Sequence, residues 1–223
     1  MVFRQLYGFI GFFAVGLVAA ALAWLCGALG AAKQRKSVQR WCYRRFLSFW
    51  HVKVTVEGAL EDNPSLVVAN HCSYVDVGVI TVLGDVRFTP KSEVQRWFML
   101  GRIARAFDVI FVDRDRSQAK QGQDQLQEVL NQGNRICVFP EGTTNNGRTL
   151  LPFKSTLFSL VEQWQGEHPL KVKPVVIRYD SVDGQPMDDA AWEKIAWYGE
   201  TTLIAHLWIL LSLKEVQVTV ICL

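Results

Sequence analysis

The run Asn70-His71-Cys72-Ser73-Tyr74-Val75-Asp76 places a histidine five residues before an aspartate. Neutral imidazole, with an ordinary pKa of about 6.5, can take the proton of an alcohol as that alcohol attacks a carbonyl. A carboxylate on the other ring nitrogen fixes the tautomer and stabilises the imidazolium that forms. His71 is therefore the candidate base and Asp76 its orienter. Side chains five apart on one helix point about 140° apart, so the two can meet only if His71 lies in the turn before the helix that carries Asp76. The same letters have a plainer use, because Ser73-x-x-Asp76 is a capping-box pattern that would occupy the carboxylate at a helix N-terminus. Cys72 offers a competing thiol nucleophile. Immediate neighbours usually point apart, which makes it a poor partner for His71.

Downstream, Phe139-Pro140-Glu141-Gly142-Thr143-Thr144 follows an apolar stretch that reads as a strand. A turn beyond the carboxyl end of a strand is where α/β sheets bind ligands. Gly142 permits close approach, and exposed amides or the Thr143 hydroxyl can meet phosphate oxygens. Glu141 does not suit a phosphate unless it orients a nearby cation or the acceptor's hydroxyls.

Together these runs resemble the glycerolipid acyltransferase family, typified by bacterial 1-acylglycerol-3-phosphate acyltransferase, over roughly residues 52–177. The resemblance implies a membrane-bound O-acyltransferase in which the acceptor hydroxyl attacks a thioester directly, without an acyl-enzyme. It implies acyl-CoA or acyl carrier protein as co-substrate, no cofactor, no metal and no nucleic-acid partner. In Phe111-Val112-Asp113-Arg114 it assigns Arg114 to the acceptor phosphate, with Arg116 as neighbour and possible substitute. Lys91 and Lys154 stand where the family places lysines, either of which would meet phosphates of the acceptor or of coenzyme A. Pro174-Val175-Val176-Ile177 resembles the family's fourth block, a packing strand beside the site. One position departs from the pattern: lysophosphatidate acyltransferases commonly carry arginine after Glu-Gly-Thr, and here Thr144 stands there, with Arg148 four positions later. The first expected acceptor is 1-acylglycerol 3-phosphate, giving phosphatidic acid, and the second is a lyso-ornithine lipid, made by relatives with Glu-Gly-Thr-Thr. A membrane-anchored thioesterase or lipase, and a non-catalytic lipid-binding protein, are the rivals from other classes.

These residues need a scaffold that 223 residues can supply as one core with additions. Net charge is only +3, yet the first 56 residues carry eight Lys or Arg and no acid, leaving 16 positive against 21 negative charges in the rest. From Gln5 to Ala32 there is no formal charge, a run of 28 residues or about 42 Å of helix. About 20 suffice to cross a bilayer, and the run is too long for a signal-peptide core. Residues 1–32 are expected to be membrane-embedded, as a single span or a re-entrant helix pair. Small residues at Ala19, Ala23, Gly27 and Ala31 mark a face for helix approach. Positive charge beyond this segment is expected to put the side that follows it in the cytoplasm; the resemblance implies that the membrane is a bacterial inner membrane, with the catalytic domain on its cytoplasmic side and membrane lipids and the lysophospholipid acceptor as partners.

Residues 33–50 read as a basic amphipathic interfacial helix, with Lys36, Arg40 and Arg44 on one stripe and Val38, Trp41, Cys42, Phe46 and Phe49 on the other face. The resemblance implies that residues 51–223 are the acyltransferase domain. Strands are expected at 52–56, 65–69, 108–112, 135–139, 172–177 and 216–223, and helices at 75–83, 92–100, 117–132, 155–164 and 202–213. Ser117 would cap the third of these helices and Gly133 stop it. The alternation implies an α/β domain with a mostly parallel sheet flanked by helices, preceded by the membrane-embedded helical segment. The five cysteines are scattered, with no C-x-x-C pair or His-rich partner segment, and read as reduced packing residues. His51, His168 and His206 have no motif around them and read as structural.

Overall fold

The computed structural model describes residues 2–60, 65–97, 100–107, 109–111, 119–154, 158–166 and 169–223. The uncharged N-terminal run forms one continuous helix, α1 (Val2–Ala28), so the two-helix form of this segment is not adopted. A turn at 29–31, closed by Ala31 N–H donating to Cys26 O at 2.8 Å, reverses the chain into α2 (Ala32–Phe49). The pair packs through Phe12 against Phe46, 4.4 Å between ring centroids, and through Tyr7 against Phe49 at 6.0 Å. Gln5, Gly8, Phe12, Gly16, Ala19 and Ala23 make the buried stripe of α1, whereas Gly27 lies exposed. A Cβ at Gly8 would come within 2.7 Å of Leu211, and one at Gly16 within 2.5 Å of Ile103, so the absent side chains let those neighbours in. The opposite side of α1 leaves Phe3, Tyr7, Ile10, Trp24 and Leu25 exposed.

Both the apolar and the basic residues of α2 have protein partners, while Trp41 of the apolar set is exposed. Cys42, Phe46 and Leu47 are buried in the core, and Arg40 and Lys36 pair with Asp85, the latter at 3.9 Å. Only part of the basic stripe, Arg44 among it, is left exposed.

The sheet has the order β1-β7-β5-β2-β4-β3. Its strands are β1 (Val52–Glu57), β2 (Ser65–Ala69), β3 (Val86–Phe88), β4 (Arg135–Val138), β5 (Lys171–Val182), and β7 (Val216–Cys222), with β6 (Gln185–Pro186) pairing on β5. Neighbours are parallel except β5 with β7, and β5 with β6, which run antiparallel. β2, almost wholly buried, is the central parallel strand, as a continuous Ser-Leu-Val-Val-Ala run requires. Helices α3 (Val75–Ile80), α4 (Leu100–Ala106), α5 (Ala119–Asn131), α6 (Ser159–Glu162), α7 (Asp189–Ile195) and α8 (Leu203–Leu210) complete the domain. The main core joins α1, α2, α3, α7 and α8 to the sheet; a smaller one places Leu126 and Leu130 of α5 on Leu66, Ile136 and Val138.

Several expected elements differ. Val109 to Phe111 are not strand, and Asp108 and Val112 lie outside the described residues; Ile110 makes one ladder-like bond, N–H to Phe88 O at 2.9 Å, and buries its side chain. The helix expected at 92–100 is a short 3-10 turn (Ser92–Arg96) followed by α4. The helix expected at 155–164 is only four residues long where described, and Ser117, its neighbour's expected cap, lies outside the described residues. The strand β3 and the helix α7 were not expected. Three residues are too few for a periodicity, and α7 is announced only by its cap, Asp188 Oδ1 accepting from Ala191 N at 2.7 Å.

Candidate active site

β2 ends at Ala69, and Asn70 continues its pairing with β5 through a side chain. Its Nδ2 donates to Ile177 O at 2.9 Å and its Oδ1 accepts from Ile177 N at 2.8 Å. This double bond anchors the chain one residue before His71, which lies in the turn ahead of α3, as the five-residue spacing demands. Asp76 occupies the first turn of α3, and His71 Nδ1 lies 2.9 Å from Asp76 Oδ2. Asp76 is buried at 1% side-chain exposure, while His71 keeps 17%. With Nδ1–H given to the carboxylate, the lone pair rests on Nε2, which has no hydrogen-bond partner among the described residues. The imidazole is stacked on Phe139, 3.9 Å between centroids at 11°, which fixes the ring plane.

The capping role is also present. Asp76 Oδ2 accepts from the backbone N–H of Cys72 at 2.8 Å and of Ser73 at 2.9 Å, the carboxylate half of the box, so one carboxylate both holds the turn that leads into α3 and orients the histidine. Cys72 does not supply a nucleophile: it is buried, its Sγ lies 3.9 Å from Asp76 Oδ1, and burial, followed by the charge of Asp76, pushes its thiol pKa well up. Tyr179 on β5 donates its hydroxyl to Asp76 Oδ1 at 2.6 Å. Sequence reasoning missed it. The signal was the alternation Val175, Ile177, Tyr179, which puts the phenol on the buried face of the strand that Asn70 grips.

The second motif leaves β4 in a turn that Gly142 N–H closes onto Phe139 O at 2.9 Å. Glu141 points inward and is 1% exposed. It accepts from His71 N at 3.2 Å, from Leu151 N at 2.9 Å and from Asn145 Nδ2. The carboxyl that suited no phosphate thus ties the two motif loops together. Thr143 is exposed and Gly142 half-buried at the turn. The exposed Lys154 lies beside the same turn, its N–H bonded to Pro140 O at 2.8 Å. Lys91 is half-buried where the 3-10 turn begins. Arg148 is drawn toward α7, 3.1 Å from Asp189 and 3.9 Å from Glu193. Arg114 and Arg116 lie outside the described residues.

A family model described as Acyltransferase matches residues 51–178, the stretch that contains both loops. The chain belongs to the acyltransferase family. Members similar to it include a lyso-ornithine lipid O-acyltransferase of Rhizobium meliloti, 32% identical over 78% of this chain and 62% of that protein. Another protein of that name, from Pseudomonas aeruginosa, is 32% identical over 89% of this chain and 74% of its own length. A 1-acyl-sn-glycerol-3-phosphate acyltransferase of Neisseria gonorrhoeae is 29% identical over 71% of this chain and 58% of that protein. The chain therefore spans about three fifths of the length of several acyltransferases it matches. The crystal structure of the 1-acyl-sn-glycerophosphate acyltransferase PlsC from Thermotoga maritima shares the fold, with a TM-score of 0.51 at 18% identity, over 93% of this chain and 85% of that one.

Proposed function

We propose that this acyltransferase moves a fatty acyl group from a thioester to the free hydroxyl of a lysolipid, and that its first acceptor is lyso-ornithine lipid. The His71–Asp76 geometry carries the chemistry: Nδ1–H is held by a buried carboxylate and Nε2 is left to act as base. In the proposed step Nε2 takes the hydroxyl proton as the oxygen attacks the thioester carbonyl. The tetrahedral adduct collapses, the C–S bond breaks, and the imidazolium returns its proton to the leaving sulfur, giving an ester and a free thiol. Asp76 stabilises the imidazolium between these two transfers.

The acceptor assignment is supported by Thr144 standing where a phosphate-binding arginine is expected, and by the engagement of Arg148 with Asp189 and Glu193. It is also supported by the names of the Rhizobium and Pseudomonas relatives. The second reading, 1-acylglycerol 3-phosphate, is favoured by the exposed Thr143 and Lys154 beside one turn, which suit phosphate oxygens. The exposed apolar side of α1, a helix long enough to cross a bilayer, supports a place in the membrane, and the Lys and Arg residues that follow it support the cytoplasmic side of a bacterial inner membrane for the catalytic domain. Acyl-CoA and acyl carrier protein remain the two donors to try.

The test is a panel of lyso-ornithine lipid, 1-acylglycerol 3-phosphate and a lysolipid with a zwitterionic phosphodiester head. Each is offered with acyl-CoA and with acyl carrier protein, following thiol release and product mass. Acceptor-dependent thiol release, fastest with lyso-ornithine lipid, is the expected result. Release that ignores the acceptor would make the protein a thioesterase, and no release with any pair would make it a lipid binder.

A further inference from the structure

We infer that Tyr179 is a positioning residue for the His71–Asp76 pair, aimed by an aromatic contact that reaches the loop at Gly147. The inference deepens the acyl-transfer reading and rests on it.

Asp76 presents two oxygens with different partners. Oδ2 is held by His71 Nδ1 and by the N–H groups of Cys72 and Ser73, all from its own loop. Oδ1 is held from across the fold by the Tyr179 hydroxyl at 2.6 Å, with the Cys72 thiol a weaker contact at 3.9 Å. A carboxylate bonded on one oxygen alone can rock about its Cβ–Cγ bond. Bonded on both, it presents Oδ2 to His71 in one orientation. Tyr179 is buried, and burial and the charge of Asp76 both push its phenol pKa up, so the hydroxyl keeps its proton and remains a donor. An O–H donor facing a carboxylate at this distance makes one of the stronger neutral-to-charged hydrogen bonds.

The phenol is in turn aimed by its surroundings. The β5–β7 register shifts between Tyr179 and Ser181, leaving Asp180 as the extra residue of a bulge, a device that redirects the adjoining side chain. Its ring meets Trp192 of α7 edge-on at 5.9 Å and 70°. Trp192 fills the space beside Gly147, where a Cβ would fall 2.2 Å from the indole. Gly147 belongs to the loop that follows Glu141, Gly142 and Thr143. The line Gly147, Trp192, Tyr179, Asp76, His71 therefore connects the loop expected to face the acceptor with the base through direct contacts, with Tyr179 and Asp76 buried at its centre.

The test is Tyr179→Phe in the full chain, assayed in mixed micelles with an acceptor the wild type uses. Phenylalanine keeps the ring and its contact with Trp192 and removes the hydroxyl alone. We expect kcat to fall by about tenfold to a hundredfold, the span for loss of one bond to a charged group, with both KM values within about twofold. In an Asp76→Asn background the same change should cost less than about twofold further, because the hydroxyl acts through that carboxylate. Trp192→Phe, which keeps the hydroxyl but loosens its seat, should lower kcat in the same manner, and it decides the matter should Tyr179→Phe not fold. An unchanged kcat, a rise in KM with kcat retained, or the full loss persisting in Asp76→Asn would overturn the role of Tyr179. Absence of transfer by the wild type would instead remove the acyl-transfer reading, and this inference with it.

Discussion

Glu141→Gln separates two roles that the Glu-Gly-Thr motif leaves open, structural tie and substrate contact. The carboxyl accepts from Asn145 Nδ2 and Leu151 N on Oε2 and from His71 N on Oε1, and it is 1% exposed. Glutamine has the same shape but only one acceptor oxygen. If that oxygen takes the place of Oε2, which serves two donors, the new NH2 group faces the His71 N–H and one bond is replaced by a donor–donor contact. An unmet buried donor costs about 1–3 kcal/mol. At about 2–4 °C per kcal/mol for a chain of this size, a loss near 2 kcal/mol lowers the thermal midpoint by about 4–8 °C. Because the lost bond is at the backbone of the base itself, kcat should fall with it, by about tenfold, while the acceptor KM stays within about twofold. The assay is a thermal unfolding scan in detergent beside acceptor-saturation kinetics. A variant with the wild-type midpoint and a raised acceptor KM would refute the tie and show that Glu141 meets the acceptor's hydroxyls.

His71→Ala should lower acceptor-dependent thiol release by at least about a thousandfold with little change in the thermal midpoint, since the side chain is partly exposed and only its ring nitrogens are asked to work; retained turnover would end the base assignment. Gly147→Ala forces a side chain onto a residue at φ +76° and into the Trp192 ring, and should cost about 2 kcal/mol or more, read as a lower midpoint. His206 is buried with Nδ1 3.0 Å from the Tyr74 hydroxyl, and burial lowers its pKa to about 4. The unfolded chain takes up this proton near pH 6.5 and the folded one only near 4, so the unfolded state binds more protons between them and stability should fall as pH drops through that window, by up to about 3 kcal/mol. His206→Gln should flatten that dependence, and an unaltered slope of midpoint against pH would refute it. Thr144→Arg should improve use of 1-acylglycerol 3-phosphate relative to lyso-ornithine lipid in competition assays, because a guanidinium suits a phosphomonoester; no change in the ratio would show that this position does not face the head group.

Local information carried much of this protein. An uncharged run of 28 residues has few ways to satisfy its backbone other than a helix, and α1 is that helix. A spacing of five from His71 to Asp76 permits contact across one turn and a helix start, and β2 and β4 read as strands because short apolar runs bounded by polar residues fit a buried parallel sheet. Contacts between residues far apart in sequence were not legible, because no local pattern states which elements become neighbours. Gly8 and Gly16 of α1 are seats for Leu211 and Ile103, and Lys36 and Arg40, which read as the basic stripe of an interfacial helix, meet Asp85. Glu141 turned inward onto a backbone amide 70 positions earlier, and Tyr179 reached a carboxylate 103 positions away. The sequence alone thus determined that His71 and Asp76 could meet, and the β2, α3 and β4 elements that bear the two motifs. Only the tertiary structure decided what holds them in aim, since a buried carboxyl is satisfied by whichever donors the packed sheet and helices bring to it.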